Sequence, residues 1–235
     1  MAQQVYPPNV IVGVIRNSFF HHRDLTAAPR SLAHEAEAAS FNDDRIISDM
    51  EQFSYVRLDA VRRRPRGARD WVVVLVLRAE GKYHHSPDLR KLIEGVETER
   101  PAKDGRLDEI IVVAEEQFFT KKNLTDVIRE QQGKQAGGAD ASGEAPFYSA
   151  YPYYNFACVV PDHQSVPRHR IMSPESVEAL LATERIARSD LAAILTTDAA
   201  IVWNGAREGQ VVEITRDSQT AGTAISYRRV ERGAV

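Results

Sequence analysis

REGQVVEITRDSQTAGTAISYRRV, from Arg207 to Val230, is the stretch on which the reading of the chain turns. Two short strand-like runs, Gln210 to Thr215 and Thr223 to Val230, flank a polar stretch that ends in Gly222, the pattern of a hairpin-like strand pair. Gly209 and Gly222 punctuate it, and glycine at such points supplies a positive φ or lets another backbone come close. Arg216 and Ser218 fall in the polar stretch, where their side chains can tie a loop by hydrogen bonds.

The same residues carry a resemblance. Gly209, Gln210, Val211, Val212, Ile214, Arg216, Ser218, Thr220, Ala221, Gly222, Ile225, Tyr227, Arg228 and Val230 meet, in order, the pattern GQVV-x-I-x-R-x-S-x-TAG-x-x-I-x-YR-x-V. So long an ordered run is far more specific than an isolated glycine motif. It resembles the closing segment of the fifth subunit shared by the eukaryotic nuclear RNA polymerases, a family with a shorter archaeal counterpart. The resemblance implies a non-catalytic subunit of a multisubunit DNA-directed RNA polymerase, with catalysis and its magnesium in the two largest subunits. It further implies a C-terminal assembly domain docked on the largest subunit and an N-terminal jaw near downstream duplex DNA. On this reading His169, Gly209, Arg216, Ser218, Gly222, Tyr227 and Arg228 shape the assembly surface.

Working back from the hairpin, SVPRHRIMSPESVEALL, Ser165 to Leu181, is similar to the family's linker and first helix through Val166, Pro167 and His169. Ser173 suits an N-cap and Pro174 the first helical position, while Val177, Leu180 and Leu181 form an apolar face. Ser189 to Leu195 reads as a second short helix. Asp198 stands where the family has an aspartate-proline pair, and Trp203 and Gly205 keep the family's aromatic and glycine. The family's prolines in these two places are Ala192 and Ala199 here, and its arginine is Val202. These departures point to a divergent member, such as one encoded by a large DNA virus.

Upstream, Val10 to Phe20 mixes β-branched and aromatic residues and leans towards helix, and Ser31 to Ala39 reads as a further helix capped by Ser31. Tyr55 to Val61 and Trp71 to Leu77 form a hairpin across the turn RRRPRGARD. WVVVLVL has no polar alternation, so it reads as a central strand buried on both faces. Asp88 to Glu97 places Leu89, Leu92, Ile93 and Val96 on one helical face. A buried strand, Glu109 to Ala114, leads through a loop into a helix with Leu124, Val127 and Ile128 facing inwards. This alternation describes an α/β layer and is similar to the nuclease-like jaw domain of the eukaryotic subunit. Residues 132–146, rich in glycine and alanine, read as a flexible insertion. Phe147 to Val160 supplies an edge strand broken by Pro152, its aromatics packing in the core rather than stacking on bases.

The expected fold is therefore mixed α/β (α+β), with a jaw domain over residues 1–160 and a small assembly domain with a mixed sheet over 161–235. A chain of 235 residues is long enough for two such cores, and 43% hydrophobic with 27% charged residues argues against wholesale disorder. The formal net charge of −3 gives no global attraction to nucleic acid, so DNA contact needs a local basic patch. Cys158 is the only cysteine, which excludes an intramolecular disulfide and points to a reducing compartment. No apolar run approaches the roughly 20 residues that cross a bilayer, and the start MAQQVYPPN lacks the pattern of a signal peptide, so no membrane partner is expected. The resemblance implies the nucleus for a cellular member, and the virion and host cell, cytoplasm or nucleus, for a viral one.

Three constellations invite chemistry. Asp70, Glu80 and Lys82 have the spacing of a metal-dependent nuclease, which makes a stand-alone nuclease the alternative reading. Asp70 precedes the central strand and Glu80 follows it, however, separating them by ~23 Å at about 3.3 Å per residue. The histidine pairs His21, His22 and His84, His85 lack partners at metal-ligand spacing. No catalytic residue, metal or cofactor is expected. The basic groups, Arg62, Arg63, Arg64, Arg66 and Arg69 in the turn and Lys121 with Lys122 in the loop, could neutralise phosphates without reading sequence. In the family the loop matching Lys121 and Lys122 lies on the jaw that approaches DNA. A free nucleic-acid-binding adaptor is the remaining class, disfavoured by the net charge.

Overall fold

The computed structural model of the chain describes residues 6–27, 54–63, 69–78, 83, 86–98, 105–120, 123–137, 146–218 and 222–233. It divides into two compact units, Met1–Cys158 and Val159–Val235. The predicted helix over Ser31 to Ala39 lies outside the described residues.

In the first unit, helix α1 (Pro8–Val14) runs through a π-helical turn (Ile15–Phe19) into α2 (Phe20–His22). Five strands follow: β1 (Thr26–Ala27), β2 (Tyr55–Arg63), β3 (Arg69–Leu77), β4 (Gly105–Ala114) and β5 (Phe147–Pro152), in the spatial order β1-β2-β3-β4-β5. β2 and β3 pair antiparallel, whereas β3, β4 and β5 are parallel. Parallel neighbours need crossovers. Helix α3 (Ser86–Thr98) makes the first, and α4 (Glu116–Thr120) with α5 (Asn123–Gly137) the second.

The alternation of side chains across the sheet explains the apolar run at its centre. Val73, Leu75 and Leu77 join Ile110, Val112 and Ala114 in one core with Leu89, Ile93 and Val96 of α3 and Leu124, Val127 and Ile128 of α5. Val72, Val74 and Val76 point the other way and are equally buried. On that side Glu109, one residue from Ile110, reaches Arg23 at the end of the N-terminal helical segment. A run without polar alternation is thus covered on both faces, as expected.

Several expectations need correction. The helix predicted over Ser189 to Leu195 is instead a 3₁₀ turn (Arg188–Asp190) and a strand, β7 (Ala192–Leu195), parallel to the last strand. An isolated seven-residue helix has little intrinsic stability, while strand pairing buries Ile194, so tertiary context overrides alanine's preference. Gln132 to Gly137, assigned by composition to a flexible insertion, continue α5. Gln132 Nε2 donates to the Tyr148 carbonyl at 2.7 Å, which ties these turns to β5. Arg62, Arg63 and Arg69 belong to the β2 and β3 ladder rather than to the turn. The loop expected after β4 contains α4.

The second unit carries β6 (Arg168–Ile171), helix α6 (Pro174–Glu184), β7, helix α7 (Ala199–Asn204), β8 (Val211–Ser218) and β9 (Gly222–Glu231). The sheet order is β6-β8-β9-β7, with only the β7–β9 pair parallel. Ser173 Oγ accepts from the Ser176 N–H at 3.2 Å and Pro174 opens α6, as the sequence predicts. Asp198 Oδ1 accepts from the Ala200 N–H at 2.9 Å and caps α7, and Gly205 closes it in the left-handed region at φ 76°. Val212, Ile214 and Val230 pack with Ile194 and Ile201 on one side, and Val211 with Met172, Val177 and Leu191 on the other.

Candidate functional site

β8 and β9 form the hairpin expected between Gln210 and Val230, but it is longer than expected. Arg216 and Ser218 lie in the ladder, opposite Ala224 and Gly222, and not in a loop. At the base, Gly209 adopts φ 83°; its N–H donates to the Val230 carbonyl at 2.9 Å, and the Val230 N–H donates to Gln210 at 2.8 Å. Two residues thus oppose one, a glycine bulge that twists the ribbon as it leaves the sheet. Gly222 begins β9 at φ 69°, again a conformation that side chains disfavour.

Arginines fasten the base. Arg188 Nη1 donates to the Gly209 carbonyl at 3.0 Å, and Arg228 Nη1 to the Ala193 carbonyl of β7 at 3.0 Å. Arg232 pairs with Glu208 at 2.9 Å. Arg170 grips Glu213 through two bonds of 3.1 and 2.9 Å, and these hold its guanidinium above the ordinary arginine value. Tyr227, opposite Glu213, packs against the cluster of Met172, Val177, Leu191 and Val211. His169 sits in β6 with Nδ1 2.7 Å from the Pro167 carbonyl. Trp203 and Val202 are fully buried.

Tyr227, Arg228, Gly209 and Gly222 are therefore brought onto one ribbon, with His169 on the adjoining strand β6, opposite Ile214. Beyond them the ribbon is exposed: Ile225 keeps 55% of its surface accessible. Sequence reading missed the clamps from Arg188 and Arg232, because their partners are a backbone carbonyl and a distant glutamate that no periodicity marks.

The first unit holds a different arrangement. Asp108, its side chain 2% exposed, accepts from Arg62 Nη1 at 3.2 Å and from Arg106 Nη2 at 3.0 Å. Asp70 is buried at the start of β3. Glu80, Lys82, His84, His85, Arg64, Arg66, Lys121 and Lys122 lie outside the described residues, and of Arg63 only the backbone place in β2 is described. His21 and His22 stack edge to face, 5.6 Å apart between ring centroids. Among the described residues no three histidine, cysteine, aspartate or glutamate side chains are grouped to hold a metal ion.

Residues 158–230 match the family described as RNA polymerase Rpb5, C-terminal domain. The DNA-directed RNA polymerase RPB5 homolog of African swine fever virus (isolate Pig/Kenya/KEN-50/1950) is 31% identical over 165 residues, covering 70% of this chain and 75% of the relative. The chain belongs to the Rpb5 family. Its likeness to archaeal members is higher but shorter. The Rpo5 subunit of Thermococcus kodakarensis is 49% identical over 69 residues, 29% of this chain and 84% of the relative. That of Thermococcus onnurineus is 48% identical over 68 residues, 29% of this chain and 83% of the relative. This Rpb5-family chain is a non-catalytic subunit of a DNA-directed RNA polymerase, the catalytic role lying in the large subunits.

Proposed function

We propose that the second unit docks this subunit on the largest polymerase subunit, and that the first unit is a peripheral jaw close to downstream duplex DNA. The observation that carries the docking reading is the β8–β9 ribbon, clamped at its base by arginines and exposed at Ile225. Viral relatives favour a virus-encoded polymerase that works in the virion and the infected host cell; a cellular member would work in the nucleus.

The DNA-facing role falls to Lys121, Lys122, Arg63, Arg64 and Arg66. Arg62 belongs to the same basic group and donates to Asp108 at 3.2 Å. Lysines at such a loop neutralise phosphates and make binding depend on salt. Removing both charges by Lys121→Ala and Lys122→Ala should reduce the slope of log affinity against log salt, measured on the assembled polymerase with downstream duplex DNA, by roughly 2. An unchanged slope would remove these lysines from the DNA path.

A further inference from the structure

The distal half of the β8–β9 ribbon has bare outer edges. β6 covers β8 only from Val212 to Thr215, and β7 covers β9 only from Arg228 to Glu231. Gly222 to Tyr227 therefore meets no strand on its outer side among the described residues. The backbone bonds at the base tell which groups face outward. Val230 exchanges bonds with Gly209 and Gln210 on the β8 side, whereas the Glu231 carbonyl accepts from the Thr196 N–H at 2.8 Å on the β7 side. Carried back along β9 with a period of two, this directs the N–H and C=O groups of Thr223, Ile225 and Tyr227 to the open edge.

Native sheets blunt open edges with charges, prolines or bulges. TAISY, Thr223 to Tyr227, has none of these. Side chains alternate across the ribbon: Ile225 and Tyr227 share a face with Thr215 and Glu213, and Ala224, Ser226 and Arg228 share the other with Arg216. Arg216 is exposed and makes no ion pair among the described residues. One face thus offers an apolar contact, the other positive charge.

We propose that the outer edge of β9 at Thr223–Tyr227 receives an extended segment of the largest polymerase subunit as a fifth strand of this sheet. That segment alternates an apolar residue beside Ile225 with a carboxylate on the face that carries Arg216 and Arg228. The proposal rests on the reading that this unit docks on the largest subunit. In strand addition, backbone bonds supply affinity and alternate side chains supply specificity, while complementary charge fixes register. A second copy of this chain fits less well, because antiparallel pairing of two β9 edges about a two-fold axis would gather the arginines of both copies on one face.

Residue-resolved hydrogen–deuterium exchange tests this on the full chain, free and co-purified with the largest subunit. The amides of Thr223, Ile225 and Tyr227 should exchange at least tenfold more slowly in the complex. The amides of Ala224, Ser226 and Arg228, which face β8, should be protected in both states and report that the hairpin is formed. Ile225→Pro, which removes one outward N–H, should weaken the complex at least tenfold, and Ile225→Val much less. A complex that forms with the outward amides unprotected would overturn strand addition and leave docking intact. Failure to form any complex would overturn both readings. Outward amides of the free chain protected in proportion to its concentration would place a second copy on the edge and contradict the proposal.

Discussion

Arg23 and Glu109 meet across 86 residues, the guanidinium Nη1 donating to both carboxylate oxygens at 3.0 and 2.9 Å with the two side chains 2% and 3% exposed. The pair ties the end of the N-terminal helical segment to β4, and Ser149 Oγ adds a bond to Glu109 at 3.3 Å. Burial works against the charge on Arg23, yet Glu109 and Tyr151 together outweigh it and the guanidinium stays above its ordinary value.

Breaking this pair on one side should be costly. Glu109→Gln leaves a cation in a dry site and is expected to destabilise the first unit by about 3–5 kcal/mol. Replacing both partners by apolar residues, Arg23→Met with Glu109→Leu, should recover most of that loss. Urea unfolding of the full chain followed by circular dichroism measures both, and a loss under about 1 kcal/mol in the single variant would show that the pair is not what holds the segment.

Alkaline pH should weaken the first unit. Tyr153 donates its hydroxyl proton to the Leu77 carbonyl at 2.6 Å, and burial raises its phenol above the ordinary value. A group whose folded value is raised stabilises fully below its unfolded value, here about 10, and loses that contribution as pH climbs towards the folded one. Stability should therefore fall above pH ~10. Tyr153→Phe should cost roughly 0.5–1.5 kcal/mol at neutral pH and flatten the alkaline fall. An unaltered alkaline slope in the variant would assign the fall to other groups.

How much of the fold and site is legible in the sequence depends on distance along the chain. Local signals read correctly: Ser173 and Pro174 announce α6, the apolar spacing of Leu89, Ile93 and Val96 announces α3, and the unbroken run from Val72 to Leu77 announces a strand covered twice. Ala192 to Leu195 misleads because its strand state comes from pairing with Arg228 to Glu231, 36 residues later in sequence, and nothing local encodes that partner. The pairing of Arg23 with Glu109 is invisible for the same reason, since 86 residues separate the partners. Arg62 reads as part of a solvated basic turn, because Asp108, its partner, is 46 residues away.

Two glycines should respond to alanine with opposite signs. Gly209 holds φ 83° with nothing within 4 Å of an added Cβ, so Gly209→Ala costs backbone strain alone, about 1–2 kcal/mol. Gly95 lies in the helix α3 with equally open space, and Gly95→Ala should stabilise by about 1 kcal/mol. Thermal unfolding of each variant checks the pair, and a neutral Gly209→Ala would mean that the bulge re-forms without its positive φ.

Arg62→Ala tests how much the Arg62–Asp108 pair holds β2 to β4. Asp108 would keep Arg106 but lose the Arg62 guanidinium, a cost of about 1–3 kcal/mol for a carboxylate that is itself buried. The paired change Asp108→Asn with Arg62→Ala should be less than additive, as expected of groups in one network. Additive losses in denaturant unfolding would separate Arg62 from the Asp108 site.

The most direct measurement of the central claim is cross-linking mass spectrometry on polymerase captured through the tagged full-length chain. The largest subunit should co-purify, and its cross-links to this chain should concentrate in residues 159–235, around the β8–β9 ribbon. Co-purification with cross-links confined to the first unit, or capture without the largest subunit, would contradict the docking role.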